Sequence, residues 1–315
     1  MKKIITVVIA IAMLAVAMLP AYAEPTYTVG ICQLMDHVAL NAATQGFMDA
    51  INEALGEGTV DFKFENATGD SNTCATIINS FVSSDVDLIM ANATPALQAA
   101  AAGTFDIPIL GTSVTEYGVA LGIENFTGVV GDNISGTSDL APLDAQADML
   151  VQLFPEAKNV GLLYCSAEAN SAYQVKVVRE CLEAKGITCT EYPFSDSNDL
   201  AAITTGACAE SDVIYIPTDN TAASCTGIID GICREAGVPV CGGDEGIMAG
   251  CGTATLCIEY YDLGVATGKM AVKILAEGAD ISTMPIEYAE YFAKYNPETC
   301  ELYGLEIPED FISIA

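Results

Sequence analysis

Short apolar runs alternate along this chain with longer stretches whose apolar residues recur three and four positions apart, and the alternation occurs twice. Tyr27 to Gln33 suits a strand buried on both faces, and Val38 to Leu55 carries its apolar residues at helical spacing. Val60 to Glu65 predicts a second strand, followed by the polar loop Asn66-Ala67-Thr68-Gly69-Asp70. A helix through Ile77, Ile78 and Phe81 leads to a strand over Asp87 to Ala91. Thr94 then opens a helix from Pro95 to Ala102, and Ile107 to Gly111 forms the next strand. Such a βαβα order predicts a parallel sheet flanked by helices.

From Phe126 to Thr137 the texture changes to Gly, Asn, Ser and Thr, which marks an expected crossing between lobes. Beyond it the plan repeats. Strand Asn159 to Cys165 feeds a helix from Ala172 to Ala184, and strand Ile187 to Phe194 feeds a helix from Leu200 to Ala209. Strand Val213 to Pro217 precedes a helix over Ala222 to Ala236, and Val238 to Gly242 is the next strand. After Thr253 to Glu259 come an amphipathic helix, Asp262 to Glu277, and an extended segment, Met284 to Ala293. The fold class expected is α/β, with two Rossmann-like lobes joined by a three-segment hinge. The first lobe should hold residues 24–133 and 256–283, the second 134–255 and 284–315. Crossings are expected near 130–138, 253–260 and 281–288.

The N-terminus has the order of an export leader: Lys2 and Lys3, an uncharged run from Ile4 to Leu19, then Pro20 and Ala21-Tyr22-Ala23. Cleavage is expected after Ala23, since the run is shorter than the about 20 residues that span a bilayer. Residues 1–23 are therefore set aside as a signal peptide, and the mature chain is expected in the periplasm or on the extracellular face of the membrane. A chain of 315 residues that is 51% hydrophobic suits two α/β domains better than one small core. Its 42 acidic and 11 basic residues give a formal charge of −31, which repels phosphate backbones and argues against nucleic acid as a partner. Scattered as they are, the acids otherwise read as a solvated surface.

Twelve cysteines in an exported chain invite oxidation. Cys181 and Cys189 flank the turn Lys185-Gly186 and are candidates for a bridge, while Cys32 and Cys165 on apolar strands read as small buried hydrophobes. No Cys-x-x-Cys pair occurs and His37 is the only histidine, so neither a metal site nor a cofactor is expected.

In open parallel sheets, ligands bind beyond the carboxyl ends of the strands. Those loops hold Gln33, Asp36 and His37; Asn92 and Thr94; Thr112 and Ser113; Ser166, Glu168, Asn170 and Ser171; Thr218, Asp219 and Asn220; and Asp244 and Glu245. Carboxylates beside neutral donors suit a zwitterion. Asp244, then Asp219, is the first choice for a ligand ammonium, and Thr94, Thr112, Ser113, Asn170 and Ser171 are donors for a ligand carboxylate. The plainer reading of each is a helix N-cap. Tyr117, Tyr164 and Tyr260 are candidates to stack on a ligand ring, or simply core tyrosines.

Five segments carry a resemblance: His37-Val38-Ala39-Leu40, Ala93-Thr94-Pro95-Ala96, Ser166-Ala167-Glu168-Ala169-Asn170-Ser171, Ile216-Pro217-Thr218-Asp219-Asn220-Thr221 and Tyr260-Tyr261-Asp262-Leu263-Gly264. In these, and in order over nearly all of the mature chain, the protein resembles the solute-binding proteins of tryptophan/tyrosine-type ABC transporters. The resemblance implies a type I periplasmic-binding fold, an aromatic amino acid as ligand between the lobes, and delivery to a membrane permease with its ATPase; the protein itself is expected to be a monomer. It implies Thr94, Ser113, Glu168, Asn170, Ser171, Asp219, Asn220 and Asp244 as ligand contacts, to which the strand-end rule adds Gln33 and Thr112 and the stacking argument Tyr260. Val38 stands where relatives tend to have proline, and Gly243 and Gly246 replace polar residues around Asp244, a change expected to widen the pocket.

Enzymatic readings find little support. No Gly-x-Ser-x-Gly elbow accompanies His37, and Gln33-Leu34-Met35-Asp36 stands where a dinucleotide-binding Gly-x-Gly-x-x-Gly turn belongs. The expected function is capture of a small solute by hinge closure, with a sensor of the same fold as the alternative.

Overall fold

Two sheets built from the predicted repeats are described by the computed structural model, which covers residues 25–314; the leader and its cleavage site lie outside the described residues. The first sheet runs β2-β1-β3-β4-β5-β11, with every neighbouring pair parallel. Its strands are β1 (Tyr27–Gln33), β2 (Val60–Asn66), β3 (Leu88–Asn92), β4 (Ile109–Val114), β5 (Ile134–Ser138) and β11 (Glu287–Tyr288). β3, β4 and β5 are buried at every position, because helices cover both faces of the sheet. Phe81, Ile89 and Leu97 belong to the core on one face, and Phe47, Met90 and Met270 to that on the other.

The second sheet repeats the plan as β7-β6-β8-β9, again parallel: β6 (Asn159–Cys165), β7 (Thr188–Phe194), β8 (Val213–Ile216) and β9 (Val240–Gly242). Next to β9 the chain switches direction. β10 (Ala254–Ile258) pairs antiparallel with β12 (Tyr291–Tyr295), which carries β13 (Ile312–Ser313) in parallel.

Sheet membership fixes where the chain passes between lobes. β5 pairs with β4, so the first sheet continues to Ser138 rather than stopping at residue 133. Ile134-Ser-Gly-Thr-Ser138 has the composition of a loop, yet burial between β4 and β11 makes it a strand. Helix Leu143–Leu153, whose Leu143, Ala147 and Leu150 pack in the second core, then places the first passage at 139–142. β10 keeps the second lobe going to Ile258, and β11 keeps the first lobe going to Tyr288. The other passages are thus at Glu259 and at 289–290.

Helix Tyr260–Glu277 returns to the first lobe and lies against helix Val38–Leu55 at very short range. A Cβ on Gly46 would stand 2.1 Å from the Tyr261 carbonyl oxygen, and one on Gly264 2.0 Å from that of Ala43, so glycine is required at this crossing. The expected helix over Ala222 to Ala236 is two, Asn220–Ser224 and Thr226–Ala236, broken at Cys225. All twelve cysteines are free thiols, Cys181 and Cys189 included, while the sulfurs of Cys208 and Cys233 approach to 3.5 Å. No helix among the described residues is long and apolar enough to cross a membrane.

Candidate functional site

The carboxyl ends of β3 and β4 form one rim of the interlobe cleft. Ala93 has φ +90° and Ser113 φ +53°, left-handed conformations that a side chain disfavours, and the two loops are tied by Ala93 N donating to Thr112 O at 3.0 Å. Pairing of β4 with β5 shifts between Gly111 and Val114, a bulge that re-aims Ser113. Its Oγ is buried without a hydrogen-bond partner. Thr94, 2% exposed, begins helix Thr94–Gly103 beside it. Strain and an unpartnered hydroxyl at one strand end are what a ligand clamp retains.

One step along the rim lies Asp139, in the first passage between lobes. Its N–H donates to Val114 O at 3.3 Å and its Oδ2 accepts from the Tyr260 hydroxyl at 2.9 Å, while Oδ1 is buried with no partner. Across the cleft, Asp244 caps helix Glu245–Cys251 through Oδ1, which accepts from Ile247 N at 2.9 Å. Burial, with the Asp139 charge adding to it, pushes the Asp244 carboxyl up to about 7, and burial likewise raises Asp139. No ion pair among the described residues involves either carboxylate. The nearby cation Lys294 is already held by Glu245, at 2.7 Å, and by Glu259.

The second-lobe wall is wired differently. Glu168 Oε1 accepts from Thr221 N and Oγ1 at 2.9 and 2.8 Å, and Oε2 from Asn220 N at 3.1 Å and Asn220 Nδ2 at 2.6 Å, with Asn170 Nδ2 more distant at 3.3 Å. Asp219 accepts from Ala222 N at 2.8 Å and Cys165 N at 2.6 Å; burial, with Glu168 beside it, pushes it up to about 8. Asn170 Nδ2 also donates to Thr218 O at 3.0 Å, and its Oδ1 is left buried and unpartnered. Asn220 Oδ1 meets His37 Nε2 at 3.2 Å, joining the two lobes.

Of the sequence candidates, Tyr260 lines one interlobe cavity and Glu168 the other, while Thr94, Ser113, Asn170, Ser171, Asp219, Asn220 and Asp244 stand buried at the strand ends. Gln33 is enclosed in the first lobe, donating to Met35 O and Asn41 Oδ1 and accepting from Thr44 Oγ1. Thr112 bonds Thr137, which bonds Thr267, all inside the first lobe. Tyr117 is a core residue donating to Thr137 O, and Tyr164 donates to Glu191. Gly243 packs against the β8 end, where a Cβ would stand 2.5 Å from Thr218 N, so only Gly246 opens space beside Asp244. Strand-end reasoning passed over Asp139, which directly follows β5, because Ile134 to Ser138 has the composition of a loop.

Two cavities lie between the lobes. One of about 490 Å³ is lined by His37, Ala39 and Ala42 from the first lobe, Ala223, Gly246 and Ala249 from the second, and Tyr260 at the hinge. The other, about 540 Å³, is bounded by Leu34, Asp70 and Pro95 on one side and Glu168, Ser195 and Thr221 on the other. Among the described residues no cluster of His, Cys, Asp or Glu is placed to hold a metal ion.

Comparison with known sequences accounts for this architecture: the family model described as "ABC transporter substrate binding protein" matches residues 28–315. The chain belongs to this family. Its fold is the type I periplasmic-binding architecture, two α/β lobes with parallel sheets flanked by helices. This substrate-binding protein is 33% identical over 260 residues to a tyrosine-binding protein of Clostridioides difficile, covering 82% of this chain and 75% of the relative. It superposes with TM-score 0.86 on an ABC domain of Streptococcus pneumonia in complex with L-Trp, at 29% identity, covering 90% and 96% of the two chains. With the ligand-free, open structure of a substrate-binding protein with adhesive properties from Clostridium difficile the identity is 34% and the TM-score 0.69, covering 91% and 99%.

Proposed function

We propose that this substrate-binding protein is the extracytoplasmic receptor of an importer, and that it captures an aromatic amino acid as a zwitterion between its lobes. The observation that carries the reading is the pair Asp139 and Asp244, two carboxylates buried at the cleft with no cation. A ligand ammonium supplies the missing charge. Ser113 Oγ and the N-terminus of helix Thr94–Gly103 are donors for the ligand carboxylate, the dipole of that helix adding to their effect. The tyrosine named for one relative and the L-Trp bound by another support an aromatic side chain.

Contacts from both lobes make closure part of binding, because ligand stabilises only the arrangement in which it touches both. Three chain passages form the hinge. This chain superposes better on the L-Trp complex than on the open, ligand-free relative, despite lower identity to the former, as a difference in lobe closure would produce. The family supports delivery to a permease with its ATPase and a place outside the cytoplasm, which the order of the N-terminal residues as an export leader also supports. No covalent step is proposed: the His37 imidazole is bonded to Asn220 and not to a hydroxyl or thiol.

Calorimetry of the Asp244→Ala variant against L-tyrosine and L-tryptophan tests the reading. Loss of a partner to a buried charge costs about 2–5 kcal/mol, or roughly 30- to 4,000-fold in affinity. An unchanged affinity would remove the ammonium assignment.

A further inference from the structure

We infer that His37 selects aromatic ligands whose ring carries a hydrogen-bond donor, a phenol O–H or an indole N–H, over those whose ring carries none. The inference rests on the proposed capture of an aromatic amino acid and adds to it the group that reads the ring.

The argument begins at Glu168. Its carboxylate only accepts, so the Asn220 amide group bonded to Oε2 at 2.6 Å is the NH2, and the amide oxygen is turned toward His37. That oxygen also only accepts. His37 Nε2, 3.2 Å away, must therefore carry the proton. A neutral imidazole has one N–H, so Nδ1 presents a bare lone pair, and this atom is buried without a partner. Burial holds the His37 pKa below its usual value even though Asn220, Glu168 and Asp36 pull the other way, so the ring stays neutral at pH 7. A buried acceptor without a donor is costly, and a ligand that brings the donor relieves that cost.

The surroundings agree with a ring as the occupant. His37 lines the interlobe cavity of about 490 Å³ with the short side chains of Ala39, Ala42 and Ala223, beside the Tyr260 ring and the carboxylates of Glu245 and Glu259. Gly246 lines the same cavity, and a Cβ there would stand 3.2 Å from Asp244 Oδ1. The acidic group proposed for the ammonium thus lies two residues along the chain from a wall of this cavity. His37 does not cap the helix that follows it, since its side chain makes no cap hydrogen bond. Its ring is set by the wall of the opposite lobe.

The test uses matched ligands that differ only in the donor: L-tyrosine against L-phenylalanine, and L-tryptophan against 3-benzothienyl-L-alanine. Calorimetry on the mature chain reads the pair whose donor member binds more tightly. The expected preference for the donor is about 5- to 150-fold. In His37→Leu the ratio should collapse toward one, whatever happens to absolute affinity through loss of the Asn220 contact, and His37→Gln, which keeps an acceptor and a donor, should restore part of it. Equal affinities within both pairs for the wild type, or a ratio unchanged in His37→Leu, overturn the role of His37 and leave aromatic capture standing. Should His37→Leu fail to fold, the wild-type ratios and His37→Gln still decide: ratios of one refute the inference. Binding of none of the four ligands overturns both this inference and the proposed ligand class.

Discussion

Glu168 and Asp139 are both buried carboxylates at the cleft, and they are satisfied in opposite ways. Glu168 draws backbone and side-chain donors from Asn220 and Thr221 to both of its oxygens. Asp139 has the Tyr260 hydroxyl on one oxygen and nothing on the other. Glu168 is thus satisfied without a ligand, although Asn170 Oδ1 in the same wall is not, whereas on the hinge side Asp139 keeps a buried carboxylate oxygen without a partner. On the proposed reading, a wall largely bonded to itself loses little order when the lobes close, and a floor with open valences supplies the energy difference between closed and open states.

That division implies that neutralising the two carboxylates has opposite signs for the ligand-free protein. Asp139→Asn removes an uncompensated buried charge and keeps an acceptor for Tyr260. Its melting temperature without ligand should hold or rise, while affinity for L-tyrosine or L-tryptophan falls by about 2–5 kcal/mol in calorimetry. Glu168→Gln puts an NH2 group where donors already point, so stability should drop by about 1–3 kcal/mol in a denaturant titration of the ligand-free chain. If both variants lose stability equally, the contrast between wall and floor is wrong.

A smaller effect sharpens the contrast by titration. Asp244 titrates at about 7 in the folded chain but near the ordinary carboxylate value when unfolded, and Asp219 is displaced the same way. Between pH 4 and pH 8 the unfolded chain has released these protons and the folded chain still holds them, so ligand-free stability should fall as pH rises through that window. His37, lowered by burial, works in the opposite sense below its usual value, but it is one group against three, since burial raises Asp139 as well. Ligand ammonium should pull Asp244 back down, so binding below pH 7 should release protons, which calorimetry in buffers of different ionisation enthalpy reads directly. Asp244→Asn should flatten the slope; a slope unchanged in that variant would assign the pH dependence elsewhere.

Much of the fold was written in local pattern. Tyr27–Gln33, Val38–Leu55 and Asn159–Cys165 form the predicted elements with the same ends, because period and composition agree there and both sheet faces are buried. Ile134–Ser138 was illegible for the opposite reason: Ser, Gly and Thr form a strand there only because β4 and β11 supply the neighbours. The candidate site was legible as a set of polar strand ends, and Thr94, Ser113, Asn170, Asn220 and Asp244 among them are all buried in the fold.

The sequence by itself determined two α/β repeats, a polar residue at each strand end and the family to which the chain belongs, since each of these depends on neighbours along the chain. Only the tertiary structure decided which polar groups are bonded and which are left open. Asp139 meets Tyr260 across 121 positions and His37 meets Asn220 across 183, and hydrogen-bond saturation set by such distant partners leaves no periodic trace in the sequence. For this reason the bonds that hold Gln33 and Thr112 within the first lobe, and the open valences of Asp139 and His37, are visible only in three dimensions.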